Sequence, residues 1–186
     1  MTDDQKAIYA FGVSTGRQMV LFNLTPEELK LYEAGVRASV LGTQPVIDAD
    51  LYLPGVQNLA RTRMRAAAQS YLDRAAQETG AVKTASGLVY KSLQDGSGAS
   101  PKATDIVNVR YRGTTITGYE VDAQTGRLPL GETMQCWNEG LQMMKVGGKA
   151  RLVCPPHLAY GERGAPPRIP GDTTLIFEIE LLGIGD

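Results

Sequence analysis

The feature that most constrains this chain is a change in its hydrophobic period near residue 80. Before that point apolar residues recur at helical intervals, and from Gly80 onward they alternate with polar ones. A repeat of about 3.6 residues suits one face of a helix and a repeat of two suits a half-buried strand, so the two halves cannot share one kind of element. With 186 residues in all, the chain reads as two small domains.

The first half carries helix punctuation. Thr2 followed by Gln5 has capping-box spacing, and Ile8, Phe11, Thr15 and Met19 follow at near-helical intervals, which predicts a helix over 3–22. Gly12 and Gly16 lie inside it, where each glycine costs about 1 kcal/mol relative to alanine. Close approach of another helix would explain that cost. Thr25-Pro26-Glu27-Glu28 is a second start signal, Leu29, Tyr32 and Val36 form an apolar stripe, and Gly42 is the stop. The stretch 50–79 places Val56, Leu59, Arg63, Ala67, Tyr71 and Ala75 on one side of a long helix, bent or begun near Pro54. Three helices, the last of them long and thinly apolar, do not obviously close a core by themselves, so self-association is expected to supply the missing burial.

In the second half, Val107, Val109 and Tyr111 alternate with Asn108, Arg110 and Arg112. Ala150, Leu152 and Cys154 do the same with Lys149 and Arg151, as do Leu175, Phe177, Ile179 and Leu181 with Glu178 and Glu180. Leu88 to Leu93 is a shorter strand candidate. One short helix, marked by Trp137, Leu141 and Met144 before Gly147-Gly148, interrupts the strands. The fold class is therefore α+β: an all-helical amino-terminal domain and long linking helix, then an antiparallel β-sheet wrapped on a short helix. The expected boundaries are 1–49, 50–83 and 84–186.

Composition narrows the function classes. A formal charge of -1 gives no positive field to gather phosphates, so nucleic acid is not an expected partner. Arg61, Arg63 and Arg65 read as a solvated helix face. No apolar run approaches the roughly 20 residues of a membrane-spanning helix, and Met1 to Gln5 has neither the basic nor the apolar region of a secretion signal. The single histidine, His157, read as a surface residue, rules out paired-histidine metal sites. Cys136 and Cys154 are too few for a disulfide framework or a zinc site and read as two small buried hydrophobes, their pairing left open. No cofactor and no metal is expected.

The segment from Trp137 to Leu182 resembles the FKBP family in order: Trp137-Asn138-Glu139-Gly140-Leu141, Met144 to Leu152, Leu158-Ala159-Tyr160-Gly161, Arg163-Gly164-Ala165-Pro166-Pro167, Ile169-Pro170 and Thr174 to Leu182. Upstream, Val107 to Gly113 is similar to the family strand that presents an active-site tyrosine, and Gly118 to Asp122 to its aromatic-Asp pair. The helical half looks like the amino-terminal domain of Mip-like bacterial members, through Tyr9-Ala10-Phe11-Gly12 and Gly16.

The resemblance implies a peptidyl-prolyl cis-trans isomerase that assists folding of proline-containing clients. Its catalytic residues would be Tyr111, Asp122, Trp137, Tyr160 and Phe177, with Val121, Leu128, Thr133, Met134 and Ile169 binding substrate. Trp137 would be the floor under the proline ring, and the Met134 N–H and Tyr160 hydroxyl would hold carbonyls. For each aromatic, plain core packing is the competing reading. The resemblance also implies a homodimer through the helical domain, macrolide inhibitors as candidate ligands, and a periplasmic or outer-membrane-associated site, with the cytoplasm as the alternative. Val121 stands where the family commonly has Phe, Met134 replaces Ile or Val, Cys136 replaces Gly, and the loop from Asp122 to Leu130 is shortened. These departures keep a second reading open, a client-binding chaperone or scaffold with a weakened pocket.

Overall fold

A computed structural model describes residues 1–166 and 168–185. Pro167, within the 163–167 motif, and Asp186, at the end of the expected second domain, lie outside them. The chain divides into two compact units, Met1–Ala67 and Ala68–Asp186.

In the first unit, helix α1 spans Asp3–Met19 and opens on the expected capping box, Thr2 and Gln5 each satisfying the other's backbone N–H. It ends three residues before the expected limit. Val20–Phe22 tighten into a 3-10 turn and Asn23 takes a left-handed φ of 45°. Asparagine tolerates that conformation, and it stops the helix although the apolar spacing continues. Helix α2, Pro26–Leu41, has the predicted Thr25–Glu28 box and closes on left-handed Gly42. Helix α3 covers Val56–Ala76 rather than the whole of 50–79, because two 3-10 turns, Ala49–Leu51 and Leu53–Gly55, precede it. Arg63 departs from the solvated-face reading: its guanidinium grips both Glu28 carboxylate oxygens at 2.8 and 2.5 Å and also donates to the Phe22 carbonyl. Neither α1 nor α2 buries a single residue, and Ile8, Phe11 and Leu31 are each more than 70% exposed.

The second unit is built on six strands: β1 Ala81–Lys83, β2 Val89–Gln94, β3 Ile106–Thr115, β4 Glu120–Pro129, β5 Lys149–Cys154 and β6 Leu175–Ile184. They form one sheet in the order β1-β2-β5-β6-β3-β4, each neighbouring pair antiparallel. Alternation then sorts the side chains onto two faces. Val89, Val153 and Ile176 meet Leu72 and Ala75 of α3 on one face. Val107, Val109, Leu152, Cys154, Phe177 and Ile179 join the main core with helix α4, Gln135–Gln142, on the other.

Two expectations are corrected here. The segment 122–130, expected as a shortened loop, is mostly strand β4. It pairs with β3 from Ile106↔Pro129 to Gly113↔Asp122 without a break, because the missing residues leave no excursion to interrupt the ladder. Cys136 and Cys154 are joined as a disulfide, not packed as separate hydrophobes. Folding brings α4 over the end of β5 and sets their Cα atoms 5.8 Å apart, within the range a disulfide spans.

Candidate active site

Two strands and one helix bring the aromatic residues together. Trp137 lies in the first turn of α4 and is 4% exposed. Tyr111 comes from β3 and Phe177 from β6, its neighbour in the sheet. The Tyr111 ring stands almost perpendicular to the indole at a centroid distance of 4.7 Å, and Phe177 does the same at 5.3 Å. Such edge-to-face contacts are the favoured geometry for aromatic quadrupoles. Gly113, opposite Phe177 in the ladder, makes room for it: a Cβ there would lie 2.6 Å from the Phe177 ring.

This box forms one end of a cavity of about 480 Å³ lined by Tyr111, Val121, Asp122, Glu132, Thr133, Met134, Trp137, Ala159, Tyr160, Ile169 and Phe177. Nine of the ten residues named from sequence therefore face one space. Leu128 does not. It sits in β4 opposite Val107 and packs against the main core. Glu132 and Ala159 were not anticipated, although Ala159 lies inside the Leu158-to-Gly161 motif.

The polar edge of the cavity is a three-residue cluster. The Tyr111 hydroxyl donates to Asp122 Oδ2 at 2.5 Å, and the Gln124 amide donates to the same phenol oxygen at 2.6 Å and to the carboxylate at 3.3 Å. Burial first, and the hydrogen bond to the Asp122 carboxylate next, push the Tyr111 phenol up to about 12. Gln124 was missed by sequence reasoning. Asp122 and Gln124 share one face of β4 by the period of two, a signal visible only once the segment is read as a strand. On the opposite rim, the Arg168 guanidinium donates to the Val121 carbonyl at 3.1 Å and ties the segment carrying Ile169 to β4. Tyr160 is 42% exposed at the mouth, and the indole Nε1 of Trp137 is buried without a hydrogen-bond partner among the described residues. His157 is exposed as expected, and its Nε2 meets the Ser86 carbonyl at 2.9 Å.

An antiparallel sheet closed on one short helix, with an aromatic box at the helix start, is the architecture of an FKBP-type domain. Residues 98–182 match the family model described as FKBP-type peptidyl-prolyl cis-trans isomerase, and residues 4–91 the domain amino-terminal to such isomerases. The chain is 35% identical to the Escherichia coli K12 isomerase FkpA over 98% of its own length and 76% of the relative's. It is also 35% identical to the FKBP-type 22 kDa peptidyl-prolyl cis-trans isomerase of the same organism, over 98% and 96%. The crystal structure of FkpA from Escherichia coli superposes with a TM-score of 0.63 at 33% identity, covering 99% of this chain and 97% of that one. A 1.6 Å crystal structure of a peptidyl-prolyl isomerase from Pseudomonas syringae gives 0.64 at 32% identity, covering 67% and 96%. The chain belongs to the FKBP-type peptidyl-prolyl cis-trans isomerases with an amino-terminal helical domain, and it is an isomerase of X-Pro bonds. Nothing in these similarities favours the scaffold alternative.

Proposed function

We propose that X-Pro bonds are turned in the cavity above Trp137, with the proline ring resting on the indole between Tyr111 and Phe177 and against Val121 and Ile169. The observation that carries this reading is the perpendicular aromatic box around a 4% exposed indole, open to one cavity. Rotation about an X-Pro bond is slow because the amide loses conjugation on the way, while its two end states differ by only about 0.5 to 1 kcal/mol. A twisted amide has a less polar carbonyl than a planar one, so an apolar, water-poor box favours the twisted form by differential binding. No proton transfer and no covalent intermediate is needed. Met134 caps the start of α4, and among the described residues no hydrogen bond inside the chain uses its N–H, which leaves that donor for a substrate carbonyl. Tyr160 at the rim supplies a second. Asp122 holds the Tyr111 wall in place. In a protease-coupled assay on Ala-Leu-Pro-Phe peptides, a folded Trp137→Leu variant should lose most of its kcat/KM. Full activity in that variant would remove Trp137 from the site.

The clients are proline-containing polypeptides still short of their folded state. The helical residues 1–49 pair two copies of the chain, and 50–83 link them to the isomerase domain at 84–186. This reading is supported by the match to the amino-terminal family domain, by two helices that bury none of their own residues, and by Gly12 and Gly16, where nothing among the described residues lies within 4 Å of an added Cβ. Light scattering should give a dimer mass at micromolar concentration. Macrolides that present a proline-like ring are candidate inhibitors of the same cavity. The working compartment is the periplasm, a reading supported by the disulfide, since such bonds persist in oxidising compartments and are rare in the cytosol. Thiol alkylation of fractionated cells should find Cys136 and Cys154 blocked.

A further inference from the structure

The Cys136–Cys154 disulfide touches the residue that the proposed site depends on most. Trp137 follows Cys136 directly in α4, and among the described residues its indole N–H finds no hydrogen-bond acceptor. Among the described residues no hydrogen bond therefore sets the direction of the ring, which is left to packing and to the backbone that carries it. That backbone is a helix of eight residues whose N-cap, Met134, makes no side-chain capping bond. A helix this short has little stability of its own, and an uncapped first turn is where a helix loosens first. Trp137 sits in that turn.

Besides the core packing of Trp137 and Leu141, two close ties join α4 to β5. Gly140 lies so close to β5 that a Cβ on it would meet Leu152 side-chain atoms at 2.6 and 2.7 Å. One turn earlier the disulfide joins Cys136 to Cys154, and both residues are completely buried. Gly140 secures the later half of the helix, and the disulfide secures the turn that carries the floor. Cys154 in turn pairs with Leu175 of β6, two residues from Phe177. The bond thus links the strand layer that supplies one wall to the helix turn that supplies the floor.

We infer that the Cys136–Cys154 disulfide is a positioning device for prolyl isomerisation, fixing the Trp137 ring at the angle and depth at which the aromatic box is closed. The inference rests on the reading of Trp137 as the floor. Neither cysteine touches substrate. Their effect passes through the first turn of α4, and a displacement of that turn by about 1 Å is enough to cost a large factor in rate where orientation carries the catalysis.

Trp137 is the only tryptophan in the chain, so its emission reports the floor without interference. The test compares the oxidised full chain, the Cys136→Ala/Cys154→Ala variant and the native chain reduced with a phosphine, free thiols being counted by alkylation and mass. Three quantities are measured at one temperature: kcat/KM on a proline tetrapeptide, the emission maximum with its acrylamide quenching, and the folded fraction by circular dichroism. The expected result is a folded protein lacking the bond, with red-shifted, more quenchable emission and kcat/KM lower by about tenfold. Unchanged emission and quenching in a folded protein without the bond would overturn the inference. So would a loss of kcat/KM that only tracks the unfolded fraction, including the case in which both disulfide-free forms fail to fold, because the bond would then hold the domain and not the ring. Altered emission with full activity would uphold the seating of Trp137 and refute its role as the floor.

Discussion

At the residue scale the site separates into an apolar floor and a polar edge, and the two should respond differently to substitution. Trp137→Ala removes a buried ring that touches both Tyr111 and Phe177. It should cost about 3 to 5 kcal/mol of stability through the cavity it leaves. Tyr160→Phe removes only one hydroxyl at an exposed rim and should cost about 1 kcal/mol or less. Denaturant melts of the two variants settle this, and equal losses would contradict the assignment. At the polar edge, Gln124→Ala leaves the Tyr111–Asp122 bond in place but takes away the donor on the phenol oxygen. A loss of no more than about 1 kcal/mol in stability is expected, with a severalfold fall in kcat/KM on tetrapeptides. The phenol's raised pKa fixes the sign of the alkaline dependence. Ionisation is disfavoured in the folded domain, so the pair's contribution is intact below the ordinary phenol value of 10.0 and is lost as the pH rises through about 12.

At the scale of elements, Glu28 serves two structures at once. Its carboxylate accepts from the Thr25 N–H at the start of α2 and from the Arg63 guanidinium of α3. The hydrogen bond from Arg63 first, and the backbone bond from Thr25 next, hold the carboxyl down at about 2. A depressed carboxyl contributes stability that is fully present above its ordinary value of 4.5 and is lost as the pH falls through about 2. Helical content of the amino-terminal unit should therefore drop over that window, and Glu28→Gln should flatten the drop in an acid titration followed by circular dichroism. The second unit has its own pinning across elements. Glu78, just past α3, pairs with Lys91 of β2 at 2.9 Å and with Arg151 of β5, so the end of that helix is held where Leu72 and Ala75 meet the sheet.

For the whole molecule, the compact units place the useful cut at residue 67. Leu72 and Ala75 pack on the sheet, so removing 1–80 would strip a face of the catalytic domain, whereas removing 1–67 would spare it. The shorter deletion should leave tetrapeptide turnover within about twofold. It should slow refolding of a proline-limited protein much more, because the proposed dimer would present two cavities to one chain and raise their effective concentration. Parallel peptide and refolding assays on the deletion variant check this. Equal losses in the two would mean that the helical unit stabilises the isomerase domain and does not gather clients.

Local chemistry determined much of this molecule without help from the fold. The caps at Thr2 and Thr25, the stop at Gly42 and the alternation along β3, β5 and β6 are written within a few residues of chain, so the change of period near residue 80 already divided helices from sheet. Motif order named Trp137, Tyr160 and Ile169 for one expected site, and all three line one cavity. What only the tertiary structure decided are relations between distant segments. Asn23 and Arg63 end and brace helices through backbone geometry and a partner 35 residues away in sequence. Gln124 meets Tyr111 and Asp122 at the cavity edge because a stretch expected to loop pairs instead with β3. Cys136 and Cys154 bond because α4 crosses β5 at the right separation. Hydrophobic period reports which side of an element is apolar, and it carries no information about which other element that side will meet.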